Sequence, residues 1–108
     1  MTSSNIVQEL YELTQENRKG IEVYAEAMDV LARAEHTLDT TEASAFIGAD
    51  GSVAERQAKA KLASAEARLA RDLAKAQVDR VRMKLRMIES AIMAQATAAK
   101  IMQAEMKL

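Results

Sequence analysis

The stretch that decides the fold covers residues 52–108 and reads SVAERQAKAKLASAEARLARDLAKAQVDRVRMKLRMIESAIMAQATAAKIMQAEMKL. It contains neither Pro nor Gly, and it is built mostly from Ala, Leu, Met, Arg, Lys, Glu and Gln, which are strong helix formers. At the α-helical rise, about 55 such residues form a helix about 80 Å long. The stretch therefore predicts one uninterrupted helix over about 53–107.

The start of this helix is marked by capping chemistry. Ser52 precedes Glu55 by three residues, the spacing at which the two side chains satisfy free backbone N–H groups at a helix start. Gly48 and the Asp50-Gly51 pair just before it are typical of a turn. The pattern predicts a turn over about 47–52.

Two apolar lines run along the predicted second helix. Both advance in steps of three and four residues or their sums, so each stays on one side of the helix, and the two sides are nearly opposite. The first line comprises Ala60, Ala63, Ala67, Ala70, Ala74, Val78, Val81, Leu85, Ile88 and Ile92. The second comprises Leu62, Ala65, Leu69, Leu73, Ala76, Met83, Met87, Ala94, Ala98 and Ile101. A helix with two apolar sides needs two partners, and one of them is expected to be the rest of this chain.

The first half of the chain carries a matching heptad line, which predicts a helix over about 5–46. Its alternating steps of three and four are those of a coiled-coil seam. Asn17 in this line is interpreted as a residue that sets the register, and a helix break near Gly20 is the alternative to a continuous helix. The line comprises Leu10, Leu13, Asn17, Gly20, Tyr24, Ala27, Leu31, Ala34 and Leu38.

A short turn makes consecutive helices antiparallel neighbours. The predicted fold is thus all-α, a single domain over residues 1–108 that forms a long, coiled-coil-like, antiparallel two-helix hairpin. Pairing outward from a turn centred at Ala49 places Gly20 opposite Val78 and Leu13 opposite Leu85. Residues from about 94 onward would then extend past the first helix, leaving Ile101, Met102, Met106 and Leu108 uncovered.

Composition agrees with assembly into a helical bundle. Apolar residues make up 49% of the chain and aromatic residues only 3%, so the contacts are mostly between small and large aliphatic side chains. Two helices alone bury little core per residue, which predicts a homodimer or tetramer. The expected oligomer interface comprises Leu62, Leu69, Leu73, Met83, Met87, Ala94, Ala98, Ile101, Met102 and Met106.

Several function classes are disfavoured by the residues themselves. The chain has no Cys and one His, and His36 is preceded three residues earlier by Arg33 rather than by the Glu of a di-metal helix motif. The segment Gly48-Ala49-Asp50-Gly51 is too short for a phosphate loop and carries an acid. We expect no enzyme activity, catalytic residue, cofactor or metal. The polar start of the chain and the polar residues within its most apolar window predict no signal peptide and no membrane span, hence a cytoplasmic protein.

Charge is divided unevenly along the chain. Residues 1–50 hold ten acids and three bases, net −7, and residues 51–108 hold six acids and twelve bases, net +6. The bases of the second helix form a stripe that could follow phosphates, or could pair with acids of the first helix. Nucleic-acid binding is therefore the alternative function. Its candidate contacts are Arg68, Arg71, Lys75, Arg82 and Arg86.

The run FIGADGSVAERQAKAKL at residues 46–62 resembles the turn and second-helix start of small helical-hairpin accessory proteins of tailed phages and prophages. The resemblance covers about a sixth of the chain and implies no catalytic residue. It implies a non-enzymatic accessory protein in the host cytoplasm, and for the alternative function it implies a nucleic-acid-binding accessory factor of phage recombination or replication. Such a protein would act through contacts with itself and with another phage or host protein.

Overall fold

The computed structural model describes residues 3–107, which form three helices and no strand. Helix α1 spans Ser3–Gly48, α2 spans Val53–Ala63 and α3 spans Ala65–Lys107. The all-α class predicted from composition is confirmed. The prediction that Leu108 is uncovered lies outside the described residues.

Helix α1 is continuous through Gly20, so the alternative of a break there is wrong. A Cβ added to Gly20 would lie 2.5 Å from Cδ2 of Leu85. Glycine at this position therefore serves a close approach of the Leu85 side chain rather than a helix end. The helix also passes Thr40, whose hydroxyl donates to the carbonyl oxygen of His36 at 3.0 Å. It continues to Gly48, slightly beyond the expected end near residue 46.

The Ser52 half of the predicted capping pair is formed at the start of α2, where the backbone N–H of Glu55 donates to Oγ of Ser52 at 3.2 Å. The Glu55 carboxylate accepts from that hydroxyl at 3.3 Å, whereas the pattern predicts a bond from a backbone N–H. Gly51 has a φ of 112°, a conformation that costs a residue with a Cβ but not glycine. The chain can therefore reverse between α1 and α2 within four residues.

Two basic side chains of α2 donate hydrogen bonds to backbone carbonyl oxygens at the end of α1 and in the turn. Arg56 donates from Nε and Nη2 to the carbonyl oxygen of Phe46 at 3.2 and 3.1 Å, and its guanidinium lies 4.4 Å from the centre of the Phe46 ring. Lys59 donates from Nζ to the carbonyl oxygen of Asp50 at 2.9 Å. The Arg56 bonds satisfy a carbonyl in the last turn of α1, which a helix end otherwise leaves without an intrahelical partner. The Lys59 bond satisfies a carbonyl of the connecting turn.

The expectation of one uninterrupted second helix is wrong, because the backbone departs from α geometry at Ser64. Its φ and ψ are −98° and 8°, against about −63° and −42° in an α-helix. The buried Ser64 hydroxyl donates to the carbonyl oxygen of Ala60 at 2.8 Å, where it competes with the backbone, and such back-bonding bends helices. The amides of Ser64 and Arg68 keep their bonds to the carbonyls four residues earlier. The helix is thus locally distorted at Ser64.

The described residues fall into two compact units. The turn unit comprises residues 25–79, and its buried apolar residues are Ala27, Leu38, Ala60, Ala74 and Val78. The terminal unit comprises residues 3–24 with 80–107, and its buried apolar residues are Ile6, Val81 and Ile88. In both units the buried residues of α2 and α3 belong to the first apolar line defined above.

Contacts within the terminal unit correct the predicted register. Leu85 meets Gly20 rather than Leu13, and Gln95, expected beyond the end of the first helix, donates from Nε2 to a carboxylate oxygen of Glu9. The turn is centred later than the assumed Ala49, because α1 extends to Gly48 and α2 begins at Val53. A later turn moves every facing partner toward the C-terminus.

Candidate contact surfaces

The second apolar line of the turn unit is exposed to solvent. Leu62 is 80% exposed, Leu69 58% and Leu73 62%. These three side chains project from α2 and α3 away from the buried line that contains Ala60 and Ala74. They form a narrow apolar strip, which we call the turn-unit strip.

The terminal unit has its own strip, formed by the C-terminal half of α3. Met83 is 64% exposed, Met87 73% and Ile101 55%, and Ala94 between them is also exposed. We call these four residues, with the half-buried Ala98 and Met102, the terminal-unit strip. Methionine side chains are flexible and polarisable, which suits a surface that adapts to a partner. Met106, also expected at the interface, is 76% exposed.

Other exposed apolar side chains lie outside the two lines and the heptad seam. Met93 on α3 is 71% exposed. On α1, Val7 and Tyr11 are exposed in the terminal unit, and Val30 is exposed in the turn unit. Val7 and Tyr11 are four residues apart and thus lie on one side of α1, a signal that was readable in the sequence.

The basic stripe is partly neutralised by local acids. Arg68 lies 3.8 Å from Glu42 of α1, and Arg71 lies 2.7 Å from its neighbour Asp72. Glu42 and Asp72 therefore neutralise charge that nucleic-acid binding would require. Lys75 and Arg86, by contrast, are exposed and form no ion pair among residues 3–107.

Arg82, in the terminal unit, is held by an aromatic residue of α1. Its Nη2 donates to the hydroxyl of Tyr24 at 3.3 Å, and its guanidinium lies 5.8 Å from the centre of the tyrosine ring. A cation above a tyrosine face is attracted by the ring quadrupole. This interaction restrains Arg82, a candidate nucleic-acid contact, within the terminal unit.

A small polar cluster lies around Ser64 within the turn unit. Ser64 is fully buried, and Arg68 donates from Nη2 to its hydroxyl at 3.1 Å while it also lies near Glu42. The cluster links α1 with the distorted segment between α2 and α3. A serine in an Ala-rich helix is ordinary, so nothing in the sequence marked it.

Two amide side chains of the terminal unit have buried oxygen atoms without a hydrogen-bond partner within residues 3–107. These atoms are Oδ1 of Asn17 and Oε1 of Gln95. Burying a carbonyl without a partner costs free energy, so both positions lower the stability of the observed packing. The register-setting interpretation of Asn17 stays a prediction.

The turn unit also has a shallow, open groove of about 340 Å³ beside Phe46. It is lined by Asp39, Glu42, Ala43, Phe46, Gln57 and Ala60. The groove does not enclose a ligand, whereas small-molecule sites bury most of the ligand surface. We therefore assign it no ligand.

No metal site is found within residues 3–107, where no three His, Cys, Asp or Glu side chains cluster suitably. His36 is exposed on α1. None of the helices in this range is long and apolar enough to cross a bilayer. Comparison with known proteins gives no match to a protein-family model, a curated protein or a solved structure.

Proposed function

We propose that this protein is a non-enzymatic antiparallel helical hairpin that self-associates and acts through protein–protein contacts. The uncovered apolar side of α2 and α3 carries this proposal. In the turn unit it comprises Leu62, Leu69 and Leu73, and in the terminal unit Met83, Met87 and Ile101, all more than half exposed.

The order of contacts within each unit supports the antiparallel arrangement. In the terminal unit, Glu9 contacts Gln95 and Gly20 contacts Leu85, so partners on α3 come earlier as positions on α1 come later. In the turn unit, Phe46 of α1 binds Arg56 of α2 across the turn. Contacts of this order are those of two helices joined by a short connection.

The energetic case for self-association rests on the size of the exposed side chains. Burying one large aliphatic side chain contributes about 1.5–3 kcal/mol before ordering costs. Apolar residues that recur along one helix side form a contiguous strip, and soluble monomers rarely leave large strips of this kind in water. A symmetric homodimer or tetramer is the simplest assembly that covers them.

The test is the molar mass in solution, measured by light scattering behind size exclusion and compared with the monomer mass of 11.8 kDa. One variant carries Leu69→Glu with Leu73→Glu in the turn unit, and another carries Met83→Glu with Met87→Glu in the terminal unit. We expect the wild type to exceed the monomer mass and at least one variant to reduce it, because glutamates would enter an apolar interface. A wild type that stays monomeric at high concentration would refute self-association.

The matched control is Gln77→Glu with Gln103→Glu. Both residues are exposed on α3 and lie outside the second apolar line, so the control adds two negative charges to the same helix. Its mass should equal that of the wild type. Circular dichroism of every variant separates loss of assembly from loss of helix.

Nucleic-acid binding is retained as the second candidate because Lys75 and Arg86 are exposed on α3 and form no ion pair among the described residues. If this function is correct, the protein should shift the mobility of DNA or RNA at low salt. Arg82→Glu with Arg86→Glu should abolish that shift. The resemblance to phage accessory proteins, and a phage or host partner with it, stays a prediction.

A further inference from the structure

Two charged residues flank the terminal-unit strip of α3, one at each end. The strip advances in steps of three and four, and continuing these steps leads to Arg80 before Met83 and to Glu105 after Ile101. Both charged side chains are exposed, and neither forms an ion pair within residues 3–107. The strip thus has an unpaired cation at one end and an unpaired anion at the other.

This charge arrangement discriminates between orientations of a second copy. In a parallel, in-register dimer, Arg80 would face Arg80 and Glu105 would face Glu105, and like charges in direct opposition are destabilising. In an antiparallel dimer, each Arg80 can face the Glu105 of the partner copy. The two contacts are then related by the two-fold axis that closed dimers use.

We infer that the terminal-unit strip docks onto a second copy of itself, antiparallel, with Arg80 of each copy opposite Glu105 of the other. This inference rests on the proposed function and adds its orientation and register. The pairing places the two-fold axis between Ile92 and Met93.

The same register matches the side-chain sizes along the strip. It sets Met87 opposite Ala98, so a long side chain meets a short one, and it sets Met83 opposite Met102. Near the axis, Ala94 faces Ala91. Small residues at the centre allow close approach of the helices, while the methionines fill the space on either side. Ile101 is the one strip residue that this register places opposite a charged residue, Lys84, whose aliphatic stem can pack against it.

The shared segment between Arg80 and Glu105 sets the size of the interface. It is about 39 Å long at the helical rise. With a contact strip about 10 Å wide, each copy covers about 400 Å², or about 800 Å² in total, which is less than the roughly 1,200–2,000 Å² of stable interfaces and typical of a weak, transient contact. The dimer is therefore reversible, and its dissociation has to be followed over a range of protein concentrations.

Charge exchange tests the pairing in the full chain. Arg80→Glu alone, or Glu105→Arg alone, replaces both attractive contacts with like-charge contacts and should weaken dimerisation about tenfold, given the modest strength of exposed ion pairs. The double variant, Arg80→Glu with Glu105→Arg, should restore the wild-type dissociation constant. Equal dimerisation by the wild type and all three variants in sedimentation equilibrium would overturn the inference.

Cysteine cross-linking tests the orientation, and the natural chain offers no competing thiol because it has no cysteine. Ala94→Cys should form a disulfide-linked dimer under mild oxidation, since the two copies of position 94 are offset by only about 4.5 Å along the axis. Met83→Cys alone should not, since its copies are about 28 Å apart. An equal mixture of Met83→Cys and Met102→Cys chains should cross-link.

The outcomes separate this inference from the proposal on which it rests. A dimeric wild type with fast cross-linking of Met83→Cys to itself would retain self-association and overturn the antiparallel register. A monomeric wild type would overturn both, and would leave the strip as the docking site for a different protein. Circular dichroism of each cysteine variant checks that the helices are intact.

Discussion

A double-mutant cycle at Gly20 and Leu85 tests the register of α1 against α3 within the terminal unit. An alanine in place of a helical glycine normally stabilises by about 1 kcal/mol. At Gly20, however, the new Cβ would lie 2.5 Å from Cδ2 and 3.4 Å from Cγ of Leu85. The leucine side chain must therefore move, and overpacking of this kind costs about 1–3 kcal/mol.

The two effects oppose each other, which fixes the expected signs. Gly20→Ala in the wild-type chain should leave the free energy of unfolding unchanged or lower it by up to about 2 kcal/mol. In a chain that already carries Leu85→Ala, the clash is absent, and the same change should raise that free energy by about 1 kcal/mol. The coupling energy between the two positions is then about 1–3 kcal/mol.

The assay is urea unfolding followed by circular dichroism at a fixed protein concentration, because self-association makes apparent stability concentration-dependent. Leu85→Val, which also lacks the Cδ atoms, serves as a milder partner if Leu85→Ala destabilises the chain too far. Val78→Ala is the control background, since the register predicted from the sequence places Val78 opposite Gly20. Coupling of Gly20 to Val78 and not to Leu85 would refute the observed register.

Two further comparisons concern the turn between α1 and α2. Gly51→Ala should lower the free energy of unfolding by about 1 kcal/mol, because the φ of 112° at this position strains any residue with a Cβ. Gly48→Ala should instead raise that free energy by about 1 kcal/mol or less, because a Cβ at Gly48 meets nothing within 4 Å. Equal effects in thermal unfolding would contradict this assignment. Ser52→Ala should lower the free energy of unfolding by about 1 kcal/mol, because it removes the helix cap. Ser44→Ala, an exposed change inside α1, should leave that free energy unchanged. Denaturant midpoints compare the two variants.

The helical class and the buried side of α2 and α3 were predictable from the sequence. Val78, Val81 and Ile88 recur at steps of three and seven, and burial of a helix side leaves such a period in the sequence. Each is buried in the structure. Periodicity is a local property, so it is available before any tertiary contact is known.

The distortion at Ser64 was not predictable in the same way. Serine inside a helix usually faces solvent or bonds its own backbone with little effect. Here its hydroxyl is fully buried, bonds the Ala60 carbonyl and accepts from Arg68. Which side of the helix becomes buried around a single serine depends on the partner helix, and the sequence does not state that partner's position.

The predicted register was wrong because it depended on the position of the turn. An error in the turn centre moves each facing partner by twice that amount, so a centre between Asp50 and Gly51 instead of at Ala49 accounts for about three of the seven residues that separate Val78 from Leu85. The candidate surfaces also contain one feature that was predictable from the sequence and one that was not. The exposure of Leu69 and Met87 could be expected from their side of the helix. Pairing of stripe bases with acids of the first helix was one of the two alternatives, but Glu42 as the partner of Arg68 could not be predicted, because the two residues are far apart in the chain.

The bond between Arg56 and the Phe46 carbonyl has a consequence for the entropy of chain closure. It joins residues 10 apart in the sequence, whereas the bond between Gln95 and Glu9 joins residues 86 apart. Closing the longer loop directly from the unfolded chain costs about 2 kcal/mol more, since the cost grows with the logarithm of loop length. Once the Arg56 contact is made, each later contact closes only the short segment beyond the previous one. The cheapest order of closure therefore starts at this turn and moves outward toward both chain ends.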